Sequence, residues 1–560
     1  MRNPGKYGRV DFLPPEMTVQ WVKKPYLDQP PIWCSVDLRD GNQALPIPMS
    51  TEEKLDYFHL LLNLGFQEIE VGFPAASDTE FSFVRLLIEE GHIPNGVAIQ
   101  VFSQAREHII QRTFEAVEGA KNVIFHLCSP TSPAHRDLVL HHSREEVRRM
   151  ATDGARMVAA LAEGKPGFRF EYSPEAFTAT EPDFALSVCN AVMEVWSASP
   201  EKPVILNLPV TVAHSLPHVF ACQVEYMSTH LERREGIILS VHPHNDRGTA
   251  VAMTEMALLA GAQRVEGTLF GNGERTGNVD IVTLALNLYV HGVDPGLDFS
   301  HLPDVIAKAE RLTGIRIPER LPYAGDLVFT AFSGSHQDAI AKAMKERQLN
   351  PDVPWNVPYL PIDPADIGRE YESSVIRINS QSGKAGVGYI MERKFGFTLP
   401  PEMRNDFGSL IKLISDRDRR EIQPTEMFEL FRDAYLDIRK PLYIKEHHFS
   451  QREDIHALIS GTYGEESFEW MGSGNGRLDA VSNTIMAHLG IEYTIKGYAE
   501  HALSSGSDAV AVAYVGIVNR EEKVLWGAGT HTDIVTASVF ALVSAINRLM
   551  AGCSETPSGV

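Results

Sequence analysis

Two histidines, His242 and His244, stand two residues apart in SVHPHNDRG (240–248), directly after the apolar run GIILS. On an extended strand, residues i and i+2 project to one face, so both imidazoles point the same way. Two neutral imidazoles beside a carboxylate form a site for a divalent ion. The carboxylate is expected from Asp40 in LRDGNQ (38–43), and a fourth contact from the amide oxygen of Asn278, which closes GNGERTGN (271–278). Such a set leaves room on the ion for substrate oxygens. Imidazoles favour Zn2+ or Mn2+, while carboxylate and amide oxygens also accept Mg2+. Asn245 and Asp246 follow the ligands directly and are expected to shape the loop or support them.

These residues come together only if the elements that carry them share one rim. From residue 31 to about 290, apolar runs of strand length alternate with helix-like stretches. The runs are IWCSVDL (32–38), EIEVG (68–72), VAIQVF (97–102), NVIFHL (122–127), FRFEY (168–172), PVILNL (203–208), IILSVH (237–242) and RVEGTLF (264–270). They lack a clean polar alternation, which is how parallel strands covered on both faces read. Between them lie helices such as 51–65, with an apolar stripe and a Gly65 stop, and 143–164, with Ser143 as cap and Gly164 as terminator. Eight such strand–helix repeats predict an α/β fold, a (β/α)8 TIM barrel. A doubly wound open sheet is the alternative, but it wants a Gly-rich nucleotide loop where DLRDGNQ stands.

A barrel of this kind gathers its chemistry at the C-terminal ends of its strands. Those ends hold Arg39 and Asp40, then Glu70, Gln100, His126, Glu171, Glu175, Asn207 and Thr211, then His242 and His244, and last GNGERTGN. Arg39 is placed to stabilise developing negative charge; its structural alternative is a salt bridge anchoring strand one. GNGERTGN is neither G-x-G-x-x-G nor a P-loop, so it reads as a tight loop presenting Asn278 and Glu274, with Glu274–Arg275 as a possible structural ion pair. The His pairs 141–142 and 447–448 join no motif and read as surface residues.

Bulk properties narrow the partners. A chain of 560 residues exceeds one core and should divide into roughly three units. Its net charge of −22 argues against nucleic acid or an anionic membrane, both of which require a basic face. The five cysteines, Cys34, Cys128, Cys189, Cys222 and Cys553, are scattered without a C-x-x-C pair, as expected of reduced thiols in the cytoplasm. The start, MRNPGKYGRVDFLPPEM, has no apolar h-region, and no apolar run is read as a membrane span.

LRDGNQ, HPHNDRG (242–248) and GNGERTGN together resemble the signatures of the metal-dependent acyl-CoA condensing enzymes, with hydroxymethylglutaryl-CoA lyase as a relative. Within that superfamily the chain resembles the long bacterial 2-isopropylmalate synthases from end to end. The stretches FEYSPEAFTATEPDF (170–184), FSGSHQDAI (332–340), VPYLPIDPADIGREYE (357–372) and INSQSGKAGVGYIM (378–391) carry the likeness. The resemblance implies a Claisen-type condensation of acetyl-CoA with 2-oxoisovalerate, then thioester hydrolysis to 2-isopropylmalate and CoA, in leucine biosynthesis. It implies Glu175 as a base working with His336 and Tyr359, and His126 and Thr211 as holders of the keto acid's carboxylate. A carboxylate in a dry pocket is pushed towards neutral pKa, which improves it as a base. K+ enters as a candidate monovalent activator. Homocitrate- and citramalate-type synthases are the nearest alternatives; a leucine-sensing protein on an inactive barrel and a metal-dependent lyase are the others.

After residue 300 the strand–helix rhythm stops, and 301–325 read as a polar, proline-containing stretch. The expected organisation is an N-terminal arm (1–30), the barrel (31–305), linker subdomains (306–435) and a C-terminal domain (436–560). The resemblance makes the linker lend His336 and Tyr359 to a barrel mouth, that of the partner subunit in a homodimer. In the C-terminal part, FEWMGSGNGRLDAVSNTIMAHLG (468–490) parallels VLWGAGTHTDIVTASVFALVSAINRL (524–549), an internal duplication of βββα units. Gly-x-Gly turns there would leave N–H groups free for a small carboxylate, and the resemblance implies leucine as an allosteric inhibitor.

Overall fold

Eight parallel strands close on one another, with β1 paired to both β2 and β8. They are β1 (Ile32–Ser35), β2 (Glu68–Gly72), β3 (Ala98–Gln104), β4 (Val123–Pro130), β5 (Phe168–Glu175), β6 (Val204–Val210), β7 (Ile237–Pro243) and β8 (Arg264–Gly267). The helices between them are α1 (Thr51–Asn63), α2 (Asp78–Glu89), α3 (Glu107–Ala116), α4 (Arg144–Leu161), α5 (Pro182–Val195), α6 (Pro217–His230), α7 (Ala250–Leu259) and α8 (Ile281–Val290). This computed structural model describes residues 12–331, 333–369, 384–418, 420, 422–451, 454–503 and 509–551. Residues 1–11, 378–383 of the INSQSGKAGVGYIM stretch, the end of VPYLPIDPADIGREYE and Cys553 lie outside them.

Local chemistry sets the helix starts. Ser50 and Ser143 each accept from the amide three residues on, Glu53 and Glu146, whose carboxylates reach back in a capping box. Gly164, at φ 78°, follows the C-cap of α4 in the left-handed region expected of a terminator. The first strand is shorter than IWCSVDL: it ends at Ser35, and Asp37–Gly41 forms a π-helical turn. Its cause is a buried anchor. The Asp37 carboxylate accepts from Ser35, Tyr57 and the Leu269 amide, pulling the chain inward after β1. That turn carries Arg39 and Asp40, and one-turn π-helices of this kind recur at functional sites.

The stretch 301–325 is not irregular throughout, because α9 (Leu302–Thr313) lies within it. Leu302, Val305, Ala309 and Leu312 are buried at three- and four-residue spacing, and Pro303 sits in the first turn, where a missing N–H costs nothing.

The barrel interior inverts the usual pattern. Near the N-terminal ends of the strands it holds a small apolar layer of Ala98, Ile124 and Ile205, with Ile238 against it. The rest is polar: Glu68, Glu70, Gln100, His126, Glu171, Ser173, Asn207, Ser240, Arg264 and Glu266 are all buried, where branched aliphatics are the norm. Arg264 is the hub, bonding Glu68 (2.6 Å), Gln100 (2.7 Å), Glu266 (2.9 Å) and Ser240 (3.0 Å), with Glu171 at 3.3 Å.

On the rim, Arg136 donates through both terminal nitrogens to Glu181, at 2.9 and 2.7 Å, and Arg144 adds a third bond at 2.8 Å. Burial would raise the Glu181 pKa, but Arg136, the Glu181 amide at the start of α5 and Arg144 hold it at about 2. A carboxylate depressed on folding stabilises above its unfolded pKa and loses that contribution as pH falls through the folded value. Glu181→Gln is therefore expected to cost about 1–2 kcal/mol at pH 7, allowing for solvent screening at the rim. Urea unfolding at pH 7, 5 and 3 should show the gap between variant and parent closing at the lowest pH.

Two units emerge: Met1–Val328 with Ile362–Glu370, and Phe329–Pro361 with Tyr371–Val560. In the second, α10 (Gly334–Leu349) and the proline-rich segment share a core of Ile340, Val357 and Leu360. Helices α11 (Lys384–Phe395), α12 (Pro401–Asp418) and α13 (Pro424–Tyr435) follow. The expected duplication is present as two antiparallel sheets. The first is β9 (Leu442–Gln451), β10 (Ile455–Tyr463) and β11 (Glu466–Gly474), followed by α14 (Arg477–Leu489). The second is β12 (Tyr493–Ala502), β13 (Ala511–Asn519) and β14 (Val524–His531), followed by α15 (Ile534–Ala551).

The Gly-x-Gly pairs are not turns. Gly472 and Gly474 lie in β11, and Gly527 and Gly529 in β14, where a Cβ would meet Thr484 Oγ1 at 2.4 Å, Asp479 Oδ2 at 2.5 Å, Ala541 O at 2.3 Å and Ala537 O at 2.4 Å. Their absent side chains let each helix seat directly on its sheet. Helix α15 is long and apolar enough to cross a membrane by composition alone, yet Ala537, Val539, Ala541, Leu542, Ala545 and Ile546 are buried in the domain core. His448 is exposed as expected, whereas His447 is half-buried with Nε2 3.1 Å from Thr536.

Candidate active site

Asp40, His242 and His244 meet at the C-terminal rim, their ligand atoms within 4.8 Å of one another and all three buried. The π-turn after β1 supplies Asp40. His242 is the penultimate residue of β7, and an isolated bridge between His244 and Asn278 fixes the next step of the chain. Asp40 Oδ2 lies 3.5 Å from His242 Nε2 and 3.7 Å from His244 Nε2. Ligands at about 2.1 Å from a common tetrahedral ion lie about 3.4 Å apart, so the spacing fits.

The electrostatics fit as well. Burial would lower the His242 pKa, but Asp40 and Glu266 lift it to about 9, while burial and the charge on His242 push His244 down to about 4. Burial would raise Asp40, but Arg39 and the two imidazoles hold it well below the usual carboxylate range. These directions leave a carboxylate and a neutral imidazole beside His242, a donor set that suits a cation. His242 Nδ1 bonds Glu266 at 2.8 Å, leaving Nε2 towards Asp40; carboxylate support of this kind orients metal-binding imidazoles.

Asn278 joins the cluster with its amide nitrogen, which donates to Asp40 Oδ2 (2.8 Å) and to the Asn272 carbonyl (3.0 Å). Its Oδ1 is buried and unpartnered among the described residues. The amide oxygen expected to contact an ion thus points away from Asp40 in this arrangement, and a half-turn of the amide would exchange the two ends.

Beside these ligands lies a cavity of about 320 Å³ lined by Arg39, His126, Glu175, Thr211, His242 and His244, with Phe73, Phe102, Cys128 and Pro209 as its apolar surface. Arg39 bonds Asp40 at 2.7 Å and grips Glu70 through Nε and Nη2, both at 2.8 Å, with Phe102 under its guanidinium at 4.8 Å. Arg39 therefore anchors its strand end and faces the cavity at once; the two readings of this residue are compatible. His126 spends both ring nitrogens on the protein, on Glu70 (2.9 Å) and Ser173 (2.7 Å). The Thr211 hydroxyl accepts the Ala176 amide at 2.9 Å and keeps its own proton to donate. Glu175 is half-buried at the end of β5, not sealed in a dry pocket, and its backbone carbonyl is held by Thr131.

His336 and Tyr359 belong to the second unit, where their rings stack at 3.9 Å and 19°, and Tyr359 is 59% exposed at φ 65°. Arg275 pairs with Asp246 at 2.7 Å, not with its neighbour Glu274, because consecutive side chains diverge; Glu274 lines the cavity and receives a long bond from Gln43. Asn245 shapes the loop, accepting from the Ala250 amide. Glu266, Ser173 and Arg264 are functional neighbours that no motif marks. The one trace of them is that Arg264 and Glu266 alternate around Val265 in an otherwise apolar strand, a pattern a solvated face would also leave.

Comparison with known proteins gives three matches along the chain. Residues 30–308 match the HMGL-like family, 326–392 the "Alpha-isopropylmalate synthase, post-catalytic domain-like" family and 421–550 the "LeuA allosteric (dimerisation) domain". The 2-isopropylmalate synthase of Desulfitobacterium hafniense (strain Y51) is 54% identical over 98% of this chain and 99% of its own length. That of Helicobacter hepaticus is 52% identical over 97% and 99%, and that of Azoarcus sp. (strain BH72) 49% over 98% and 94%.

Proposed function

The chain belongs to the 2-isopropylmalate synthase family, and from that premise we propose that it joins acetyl-CoA to 2-oxoisovalerate and hydrolyses the thioester, releasing 2-isopropylmalate and CoA. The observation that carries this reading is the meeting of Asp40, His242 and His244 at the edge of a cavity that also holds Arg39 and Glu175.

A divalent ion held by Asp40, His242, His244 and the Asn278 oxygen would polarise the keto group. Imidazole pairs favour Zn2+ or Mn2+, and the oxygen donors admit Mg2+; no residues are assigned to K+. Arg39, fixed by Asp40 and Glu70, stabilises the oxyanion that develops as the ketone is attacked; a donor so aimed contributes about 3–4 kcal/mol. Thr211 donates its free hydroxyl proton to the keto acid's carboxylate, and His126, with both nitrogens engaged, packs its ring against the substrate. Glu175 removes the methyl proton of acetyl-CoA, and His336 with Tyr359 serves the acid–base steps of thioester hydrolysis. The stacked, exposed Tyr359 supports a role at a surface presented to another site.

The dimerisation-domain match supports a homodimer, and leucine acting on the C-terminal domain is the proposed feedback inhibitor. Four buried, free cysteines support a cytoplasmic setting. Measurement of CoA release over a panel of 2-oxo acids tests the substrate. The highest kcat/KM is expected with 2-oxoisovalerate; pyruvate or 2-oxoglutarate outrunning it would refute the assignment.

A further inference from the structure

The Asp246–Arg275 pair lies outside the roles assigned above, yet it connects both halves of the mouth. Arg275 Nε bonds Asp246 Oδ1 at 2.7 Å, and its Nη2 reaches the Thr211 carbonyl at 2.5 Å. The other Asp246 oxygen accepts the Ala213 amide at 2.8 Å, so one carboxylate and one guanidinium grip residues 211 and 213 from two sides. The Thr211 hydroxyl in turn receives the Ala176 amide. Ala176 follows Glu175 directly and sits at φ 59°, a left-handed conformation uncommon outside glycine, so the turn behind Glu175 depends on that bond.

At the other end, the loop bearing Arg275 closes on itself. Arg275 is at φ 57°, and a Cβ on Gly273 or Gly277 would meet Asn278 Nδ2 at 2.2 Å or Gly271 O at 1.8 Å. Three residues on, Asn278 contacts Asp40, and the Gly277 carbonyl accepts the Asn245 amide between His244 and Asp246. The loops after β5, β6, β7 and β8 are therefore joined through one ion pair.

We propose that Asp246 and Arg275 are positioning residues for the condensation, bracing Thr211 and the Glu175 turn at a set distance from the Asp40–His242–His244 cluster. The inference rests on the proposed function and deepens it. Arg275 is 41% exposed and Asp246 17%, so the ion pair itself, open to solvent on the arginine side, contributes little to folding stability. Its value lies in alignment, where misplacement by about 1 Å costs about a hundredfold in rate.

The test uses the full-length, metal-loaded dimer. Asp246→Ala and Arg275→Ala are each expected to lower kcat about a hundredfold. Bound metal per chain and melting temperature should stay at parent values, with little change in KM for acetyl-CoA. Because both act through one brace, the double variant should be no worse than either single change. Asp246→Asn keeps an acceptor for Ala213 and should recover part of the loss, as should Arg275→Lys, which keeps the charge. A kcat within twofold of the parent, losses that multiply in the double variant, or losses that track departure of the metal would overturn the brace. If the parent enzyme releases no CoA with any 2-oxo acid, the functional reading fails instead, and that control is read first.

Discussion

His242→Ala is expected to abolish stoichiometric binding of a divalent ion and to lower turnover about a thousandfold or more, while the second unit stays folded. The ring being removed is buried, bonded by Glu266 at 2.8 Å on one side and facing Asp40 on the other. Losing it leaves only Asp40, His244 and the Asn278 amide to hold an ion, with Glu266 facing an empty volume. Polarisation of the reacting carbonyl contributes several kcal/mol to the barrier, and about 4 kcal/mol corresponds to a thousandfold. Equilibrium dialysis with elemental analysis gives the ion per chain, and the CoA-release assay gives the rate. Glu266→Gln should be milder, with metal affinity about 10–100-fold weaker because the imidazole remains but loses its carboxylate partner. A variant at 242 that still binds one ion per chain and turns over normally would remove the metal site from this mouth.

Arg264→Leu carries the largest expected stability effect, about 3–5 kcal/mol, because it strands buried carboxylates. Arg264 has no exposed surface and compensates Glu68, Glu266 and, at 3.3 Å, Glu171. Burial and the neighbouring Glu266 push the Glu171 pKa well up, whereas Arg264 and His242 hold Glu266 well down against its own burial. The two directions favour a proton on Glu171 over one on Glu266, which faces His242. The contrast is diagnostic: Glu171→Gln, which imitates the protonated acid, should cost less than about 1 kcal/mol. Denaturant titration monitored at the barrel transition separates the two variants. Equal destabilisation would mean that Glu171 is ionised and that the charge balance differs from the one described.

The legible part of the site was the part carried by local rules. His242 and His244 could be paired because strand periodicity puts i and i+2 on one face. Asp40 could be added because strand ends of a barrel share a rim. Arg39, Glu175 and Thr211 followed from the same rim. The interior hub was not legible, because a polar residue inside a closed barrel and one on a solvated face leave the same alternation in the sequence. Arg264 meets Glu68 across the β1 strand that separates their own, a pairing between residues 196 apart. In the Gly-x-Gly pairs, glycine marks turns and close approaches alike, and only the seated helices show which applies.

Order, count and type of the barrel strands, the duplication in the C-terminal domain and the meeting of Asp40, His242 and His244 at one rim were determined by the sequence itself. Each depends on hydrophobic period, spacing and the one-way topology of strand–helix repeats, all of which act along the chain. Which carboxylate supports His242, which residue Arg275 grips and where the Asn278 amide points were decided only by the tertiary structure. Those choices depend on distances between residues on different strands, fixed by the stagger of a closed sheet and by the exclusion of water from its interior. There a charge must find the nearest partner, whatever its place in the chain.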